Sequence, residues 1–213
     1  MKKLKLSCIL SLGVLLFGCA EMPNDPPNSA RHIAAEDSGV IFGSIGMGRD
    51  SLVRLHKLKY RLVGTKDTGN FAYFIGQPAE FKEGEAKGRS FAVRLPPGNY
   101  ELFNFEFGYH AFGEVTRFAH DDFSIPFSVS RGGTTYLGEF LSYNVLGDKN
   151  LLGSRPFIGF YFVVADKSVR DLALLQKNGI NIASDSILKS IPDANAVGLP
   201  FFRVHALPPP VDN

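Results

Sequence analysis

Apolar and polar residues alternate along much of the chain between residues 40 and 165, and this pattern predicts β-strands. In the strand predicted at Lys57–Val63, apolar side chains alternate with basic ones, which is typical of a strand with one buried face and one charged face. Alternating or continuous apolar runs predict further strands at Val40–Ile45, Asn70–Ile75, Arg89–Leu95, Phe123–Val129, Thr134–Tyr143 and Phe157–Ala165.

Two of these strands can be assigned a position in a sheet. Pro126 has no backbone N–H to donate, so Phe123–Val129 is expected at an edge. Phe157–Ala165 is apolar throughout, which is typical of a central strand that is buried on both faces.

The segment from Tyr100 to Tyr109 changes phase along its length. Tyr100 and Leu102 alternate in one phase, whereas an aromatic row occupies the other. Such a change indicates either a β-bulge or a strand that is covered on both faces. The row is expected to pack in the core, with a hydrophobic ligand site as the alternative; it consists of Phe103, Phe105, Phe107 and Tyr109.

One helix is predicted, from Ser168 to Asn178-Gly179. Ser168 and Asp171 have the spacing of a capping box, and the Asn-Gly pair is a typical helix stop. A short apolar stripe is expected to pack over one end of the sheet, and the residues after Gly179, including Ser186–Ile191, are expected to form a loosely structured cover. The stripe consists of Val169, Leu172 and Leu175.

Turn signals that separate the strands at intervals of eight to twelve residues predict the fold class. We expect a mainly β protein, a single antiparallel β-sandwich with one short C-terminal helix. The folded domain is assigned to residues 38–206, because no internal repeat or linker divides it. A chain of this length can bury roughly 70% of the surface of its unfolded form.

Both ends of the chain differ from this domain. Residues 20–37 are polar and contain three prolines, so residues 19–37 are expected to form a disordered tether. Fully extended, this tether would reach about 60 Å. Residues 207–213 contain three consecutive prolines and are expected to form an irregular tail.

Residues 1–18 have the composition of an export signal. Three lysines precede an apolar run at Leu6–Phe17, which is too short to cross a bilayer because crossing takes about 20 residues. The run leads into Leu16-Phe17-Gly18-Cys19. Ordinary cleavage after Ala20 is the alternative, since Gly18 and Ala20 are both small.

The stretch Leu16-Phe17-Gly18-Cys19 resembles the lipobox of bacterial lipoprotein signal peptides. The resemblance implies that the Cys19 thiol carries a diacylglycerol and that cleavage makes Cys19 the first residue. Two or three acyl chains would then hold the protein on a membrane. Ala20, in place of the aspartate of the Gram-negative sorting rule, implies the outer membrane, with the domain facing the periplasm.

The cysteine and charge content of the chain bears on two questions: whether disulfide bonds form and whether nucleic acid is a partner. Cys8 leaves with the signal peptide and Cys19 is lipidated, so no intramolecular disulfide is expected. Without the three signal-peptide lysines, 20 basic residues remain against 21 acidic ones, a formal net charge of −1. Basicity therefore gives no reason to expect a nucleic-acid partner.

A second resemblance covers Phe91–Phe140. The run Phe91–Leu102 resembles the strand–LPPGxYxL–strand hairpin of transthyretin-like or carboxypeptidase-regulatory-like β-sandwich modules. The segment from Phe127 to Gly138 resembles a later hairpin of such modules. This resemblance implies the sandwich fold and a non-catalytic adhesive or scaffold role.

The best candidates for chemistry are His110, His120, Asp121 and Asp122. Imidazole and carboxylate groups can bind a divalent metal, and His with Asp can act as an oriented base. Their spacing matches no metal signature, and solvated loops collect the same residues. No catalytic, metal or cofactor residue is therefore assigned.

Other polar residues carry weaker signals. The sequence around Ser44 lacks the first glycine of G-x-S-x-G, and the nearby glycines do not follow the order of a phosphate-binding loop, so a glycine-rich strand is expected. His32, His56 and His205 stand alone and receive no assignment.

These features predict a lipid-anchored, non-catalytic interaction or scaffold module of the bacterial envelope that binds another envelope protein. The edge strand Phe123–Val129 is a candidate for β-augmentation by that partner. The alternatives are a periplasmic small-molecule or lipid-binding module with a cavity between the sheets, and a metal-dependent enzyme.

Overall fold

Thirteen strands, one α-helix and two short 3-10 turns make up the part of the chain that the computed structural model describes. The described residues are 24–31, 33–48, 53–110, 114–118, 122–151, 153–182, 186–192 and 202–204. The strands are β1 (Asn24–Asp25), β2 (Gly39–Met47), β3 (Val53–Leu62), β4 (Thr68–Phe74), β5 (Phe81–Glu83), β6 (Ala86–Leu95), β7 (Gly98–His110), β8 (Glu114–Phe118), β9 (Ile125–Val129), β10 (Thr134–Leu146), β11 (Phe157–Ala165), β12 (Ile187–Lys189) and β13 (Phe202–Val204); the helix is α1 (Ser168–Lys177).

Two sheets pack face to face, which confirms the mainly β sandwich with a single helix. The six-stranded sheet has the order β1-β4-β3-β7-β8, with β9 also beside β7, and its pairs are antiparallel. The seven-stranded sheet has the order β13-β11-β10-β2-β6-β5, with β12 also beside β10. This second sheet is mixed, because β10 runs parallel to β2 and β12, and β11 runs parallel to β13.

Aromatic side chains from both sheets fill the space between them. The rings of Phe71 on β4 and Phe91 on β6 stack across the interface, with centroids 4.0 Å apart. Phe107 on β7 meets Phe160 on β11 at 3.6 Å. Stacked and edge-on aromatic pairs contribute about 0.5–1.5 kcal/mol each beyond the area they bury.

Both segments expected to be hairpins connect strands of different sheets instead. β6 lies in the seven-stranded sheet and β7 in the six-stranded one, and β9 and β10 are divided in the same way. The hairpin predictions were therefore wrong. A turn between two half-buried strands has the same local pattern whether the strands pair side by side or face each other across a core.

The β6–β7 connection is held by a tyrosine hydrogen bond. The Tyr100 hydroxyl donates to the Pro96 carbonyl oxygen at 2.9 Å, as in the tyrosine corners of other sandwiches. Burial, reinforced by the charge of Asp67, raises the pKa of Tyr100 to about 12, so the hydroxyl stays a donor at neutral pH.

Two positional predictions for strands are confirmed. Among the described strands, β9 pairs with β7 alone, so Pro126 lies on an edge strand. β11 lies between β10 and β13, as expected for an uninterrupted apolar run.

The N-terminal segment is more ordered than expected and lies against the folded domain. Asn24 and Asp25 form β1 and pair with Phe71 and Asn70 on β4, and Ala30 is buried in the core. The prediction of a disordered tether is therefore wrong for residues 24–31 and 33–37, whereas residues 19–23 lie outside the described part of the chain. The polar composition of this segment gave no signal for a strand, because β1 is stabilised by backbone hydrogen bonds to the edge strand β4 rather than by apolar side chains.

The helix α1 lies on the outer face of the seven-stranded sheet, against β2, β6 and β10, rather than over one end of the sheet. Leu175 is buried, but Val169 is 85% exposed, so the predicted stripe was wrong at Val169. Residues 187–189 form β12 beside β10 rather than a loose cover.

The two ends of α1 differ in how well they were predicted. The Ser168 N–H donates to Asp166 Oδ1 at 3.0 Å, and Asp171 faces the sheet, so the expected capping box is absent at this described helix start. At the other end Gly179 has φ +80, and the Ile180 N–H donates to the Leu175 carbonyl. This is a Schellman motif, and it confirms the glycine stop.

No helix within the described residues has both the length and the apolar character needed to cross a membrane.

Candidate functional site: a polar pocket on the six-stranded sheet

A pocket of about 450 Å³ lies on the outer face of the six-stranded sheet, the face turned away from the core. We call it the polar pocket, because six of its eight lining residues have polar side chains. It is lined by Lys57, Lys59, Thr68, Gly69, Asn70, Phe103, Asn104 and Glu106.

The register of three neighbouring strands places these side chains in rows. Lys59 on β3 lies between Asn70 on β4 and Asn104 on β7. In the next row, Lys57 lies opposite Glu106. The alternation that predicted a charged outer face at Lys57–Val63 therefore forms one wall of the pocket.

A β-bulge in β7 shapes the same pocket. The register shifts so that Lys59 pairs with Asn104 while Tyr60 pairs with Leu102, which leaves Phe103 as the extra residue. Phe103 and Asn104 both line the pocket as a result. Bulges commonly re-aim side chains in this way.

The bulge explains the change of phase seen in the sequence. Tyr100 and Leu102 before it, and Phe105 and Phe107 after it, are all buried in the core. The core prediction is thus confirmed for Phe105 and Phe107 and wrong for Phe103. The side chain of Tyr109 lies outside the described part of the structure.

Two amines share one carboxylate in the pocket. The Nζ atoms of Lys57 and Lys59 each lie 3.4 Å from Glu106 Oε2. Charge-assisted hydrogen bonds usually measure about 2.7–2.9 Å, so both contacts are loose. Lys57 is only 6% exposed, which places an ammonium group in a poorly hydrated position.

A network of shorter ion pairs lies behind Phe103 and Asn104, on the β7 side of the polar pocket. Arg61 Nε donates to Glu101 Oε1 at 2.7 Å, and Arg61 Nη1 donates to Asp122 Oδ2 at 2.9 Å. The guanidinium also lies over the Phe103 ring, 4.3 Å from its centroid. The hydrogen bond from Ser124, together with that from Arg61, lowers the pKa of Glu101, so this network is ionised at neutral pH.

Asp122 positions an amide of the pocket. Its Oδ1 accepts from Asn104 Nδ2 at 2.8 Å, while its Oδ2 accepts from Arg61. Because a carboxylate cannot donate, this contact fixes which end of the Asn104 amide faces it. Asn104 Oδ1 is buried and has no hydrogen-bond partner among the described residues.

Of the four candidate residues for a metal or catalytic site, only Asp122 has a described side chain. The backbone of His110 ends β7, whereas its side chain and the residues His120 and Asp121 lie outside the described part. Within the described residues, no three His, Cys, Asp or Glu side chains form a group that could hold a metal ion. The alternative of a metal-dependent enzyme would require these four residues to converge, and three of their side chains lie outside the described part. Cys19 also lies outside the described residues, so its lipidation stays a prediction.

A second polar group lies beneath α1. We call it the buried polar cluster; its members are Ser44, Tyr136, Glu139, Arg170 and Asp171. Asp171 Oδ2 accepts from the Ser44 hydroxyl at 2.8 Å and from the Tyr136 hydroxyl at 3.0 Å. Its Oδ1 accepts from Arg170 Nη2 at 2.7 Å.

Arg170 is the centre of charge in the buried polar cluster. It lies 2.7 Å from Glu139 Oε1 and 3.0 Å from Glu83 Oε1, and its guanidinium stacks 3.8 Å from the centroid of the Phe81 ring. Burial raises the pKa of Asp171 and of Glu139, and the charge of Arg170 opposes that rise in both. Since Asp171 is fully buried and both its oxygens are engaged, the cluster attaches α1 to the sheet.

A bulge in β10 makes the cluster possible. Tyr136 pairs with Phe42 and Glu139 pairs with Ser44, so three steps along β10 match two along β2. Gly138 has φ +115 within this bulge. Without the extra residue, Tyr136 and Glu139 would point to opposite faces, because strand side chains alternate with a period of two.

His56 has a partner that the sequence did not reveal. Its Nδ1 lies 2.6 Å from the Ser142 hydroxyl, between the two sheets. Both residues are buried, and His56 is flanked by the rings of Tyr73 and Phe107. A buried pair surrounded by aromatic rings is not accessible to a substrate, so this contact is structural.

Several of these residues were missed because their signals are weak. Ser44 lies in β2, which confirms the glycine-rich strand, but its contact with Asp171 spans 127 positions. Glu139 was the one available signal, since a charged residue interrupts an otherwise apolar run in β10. His32 and His205 lie outside the described residues.

The β9 edge is less open than a recruiting strand requires. Pro126 has no N–H, and the Ser128 carbonyl already accepts from the Thr135 hydroxyl at 2.9 Å. Natural edge strands are commonly blocked by such features. Recruitment of a partner strand at β9 stays a prediction.

Comparison with known proteins places this chain in no family. No family model matches it, and no curated protein matches it. A solved structure of a leucine-rich repeat protein from Bacteroides thetaiotaomicron VPI-5482 is 14% identical over 50% of this chain, with a TM-score of 0.31. The match spans 14% of that protein's length, and a likeness this weak carries no argument about fold or function.

Proposed function

We propose that this protein is a lipoprotein of the bacterial envelope, a non-catalytic β-sandwich module held on the outer membrane and facing the periplasm. The observation that carries the proposal is Cys19 at the end of a short export signal, in the sequence Leu16-Phe17-Gly18-Cys19. Two or three acyl chains on one residue make membrane attachment durable, because each buried CH₂ contributes about 0.8 kcal/mol.

The docking of β1 changes how such an anchor would act. With Asn24 already paired to Phe71, only five residues, 19–23, separate the lipid from the folded body. Five extended residues reach about 18 Å at most, compared with about 60 Å for a fully disordered tether. The sandwich would therefore stay next to the membrane, which raises its effective concentration for partners at that surface.

The two buried polar groups described above support a non-catalytic binding role, because their side chains are already hydrogen-bonded or closed off from solvent. The carboxylate of Asp171 is saturated by its neighbours, and the His56–Ser142 pair is buried. We propose another envelope protein as the partner.

The alternative of a ligand cavity between the sheets has little support. Close aromatic contacts such as Phe71–Phe91 and Phe107–Phe160 fill the described inter-sheet space. The polar pocket lies on an outer face instead, and its lining is unsuited to lipid chains.

The two cysteines of the chain allow a matched test of the anchor. The full chain and its Cys19→Ser and Cys8→Ser variants are produced in a Gram-negative host fed an alkyne-tagged fatty acid. We expect label and outer-membrane sedimentation for the full chain and for Cys8→Ser, and neither for Cys19→Ser. An unlabelled full chain, or a Cys19→Ser variant that keeps the label, would contradict the proposal.

A further inference from the structure

We propose that one end of the sandwich rests on the membrane surface and that Leu151, in the loop between β10 and β11, inserts among the lipids. We call this the anchor end; it is the end at which β4 stops at Phe74 and from which the β10–β11 loop projects. The inference rests on the proposed function, because the lipid on Cys19 is what brings this end to the membrane.

The direction of β1 indicates the end at which the lipid lies. β1 runs antiparallel to β4, with Asn24 opposite Phe71 and Asp25 opposite Asn70, so its first residue is directed towards the end of β4. The five residues from 19 to 23 reach about 18 Å at most. A chain that continues in the direction of β1 therefore delivers the lipid to the anchor end.

Contacts between the two sheets show that β10 stops at the same end as β4. The rings of Phe140 on β10 and Phe71 on β4 have centroids 5.8 Å apart. Two residues further along β10, Ser142 meets His56, and His56 is the residue that pairs with Tyr73 on β4. The two strands thus run in the same direction, and the loop that follows β10 projects from the anchor end.

Large apolar side chains are exposed at this end. Leu151 is 107% exposed, as open to water as in an extended peptide. Leu146, the last residue of β10, and Ile75, the residue after β4, are exposed as well. Transfer of one fully exposed leucine from water into lipid favours the inserted position by about tenfold to a hundredfold.

Hydrogen bonds within the loop hold Leu151 in its exposed position. The Asn150 N–H donates to the Ser154 carbonyl oxygen at 2.9 Å, and Asn150 Oδ1 accepts from the Ser154 N–H at 3.0 Å. The Gly153 N–H donates to the Asn150 carbonyl oxygen at 2.8 Å. These backbone groups keep their partners when the loop enters the membrane surface, so insertion does not leave them unsatisfied. A preformed loop also loses little entropy on binding.

The charges of the loop are mixed, since Asp148 and Lys149 precede Leu151 and Arg155 follows it. Attraction to anionic lipid is therefore not the main contribution, and burial of apolar surface drives the contact. The flexible stem of Lys149 lets its amine stay among the lipid headgroups while Leu151 inserts.

The contact would fix the orientation of the whole sandwich. β3 begins at the anchor end, where Leu55 pairs with Phe74, and it ends at Leu62 on the opposite side. There the Val63 N–H donates to the Asn99 carbonyl oxygen at 2.9 Å, so the β6–β7 connection lies at that opposite end. This end faces away from the membrane and is the one presented to an envelope partner.

Tryptophan fluorescence tests the contact, because the chain has no tryptophan of its own. Leu151→Trp and Val63→Trp each introduce one fluorophore, at exposed positions on opposite ends, so both changes are compatible with folding. Each full chain is produced in a Gram-negative host fed an alkyne-tagged fatty acid and purified in detergent. It is then reconstituted into vesicles of phosphatidylethanolamine and phosphatidylglycerol, with or without brominated acyl chains, which quench tryptophan on contact.

We expect the emission of Leu151→Trp to shift to shorter wavelength in vesicles and to be lost when the acyl chains are brominated. The emission of Val63→Trp is expected to change in neither respect. A labelled chain in which Leu151→Trp is quenched no more than Val63→Trp would overturn the membrane contact and leave the lipid anchor standing. A chain without fatty-acid label would contradict the anchor, and the membrane contact would fall with it.

Discussion

The hydroxyl of Tyr136 on β10 donates to Asp171 Oδ2 at 3.0 Å and accepts from the Lys167 backbone N–H at 2.9 Å. One side chain of the sheet thereby holds both a buried carboxylate of α1 and the residue just before the helix. The helix is attached to the sandwich by these polar contacts as well as by the buried side chain of Leu175.

Replacing Tyr136 by Phe is expected to lower the free energy of unfolding by about 1–3 kcal/mol, because a buried donor and a buried acceptor lose their partner. Urea denaturation measures the change. Val169→Ala, on the exposed side of the same helix, serves as the control and is expected to shift stability by less than about 0.5 kcal/mol. Equal effects of the two changes would show that the hydroxyl does not hold the helix.

Gly138→Ala tests the bulge that aims Glu139 at Arg170. The residue has φ +115, and a Cβ there would lie 3.0 Å from Val164 Cγ1, so a loss of about 2–3 kcal/mol in unfolding free energy is expected.

Gly132→Ala is the matched control for this change, since Gly132 also has a positive φ, +66, but a Cβ added there would have no atom within 4 Å. We expect it to cost only about 1 kcal/mol, the backbone penalty alone. If Gly132→Ala is the more harmful of the two in thermal unfolding, the assignment of the bulge is wrong.

Two phenylalanines distinguish the core from the bulge of β7. Phe71→Ala empties a stacked position between the sheets and is expected to cost about 3–5 kcal/mol. Phe103→Ala removes a half-buried ring on the outer face and is expected to cost much less. Chemical denaturation of both variants measures the two losses in unfolding free energy. Similar losses would place Phe103 in the core.

The charge of Asp166 is expected to make stability depend on pH. Burial alone would raise its pKa, but hydrogen bonds from Lys189 and Ser168 outweigh that effect and hold the pKa at about 2. A carboxyl whose pKa is lowered on folding stabilises the protein above its unfolded pKa, near 3.8, and loses this contribution as pH falls towards 2.

Asp166→Asn keeps the acceptor for Ser168 but removes the charge. At pH 6 it is expected to be less stable than the parent by up to about 1 kcal/mol, the value of an exposed ion pair, and the gap should close between pH 3.8 and 2. Denaturation at several pH values measures this gap. Lys189→Gln breaks the same ion pair and should show the same loss at pH 6; a gap that widens on acidification would contradict the assignment.

The sequence by itself determined the elements whose signals are local. Strand alternation located β3 and β6, and an uninterrupted apolar run located β11. The phase change at Phe103 allowed two interpretations, a β-bulge or a strand covered on both faces, and the register of β7 shows the bulge. Gly179 marked the end of α1, because a left-handed residue there needs no information from elsewhere in the chain. These features depend on side-chain periodicity and backbone conformation over a few residues.

The tertiary structure decided which surfaces meet. Whether β6 and β7 pair or face each other, where Asp171 finds Tyr136, and which row of β3 lies beside Asn70 and Asn104 all depend on contacts between residues far apart in sequence. Local patterns tell a buried face from an exposed one, but every buried strand face has the same pattern. Which strand or helix face packs against which depends on how all the buried faces fit together. The polar pocket and the buried polar cluster therefore form only in the folded chain.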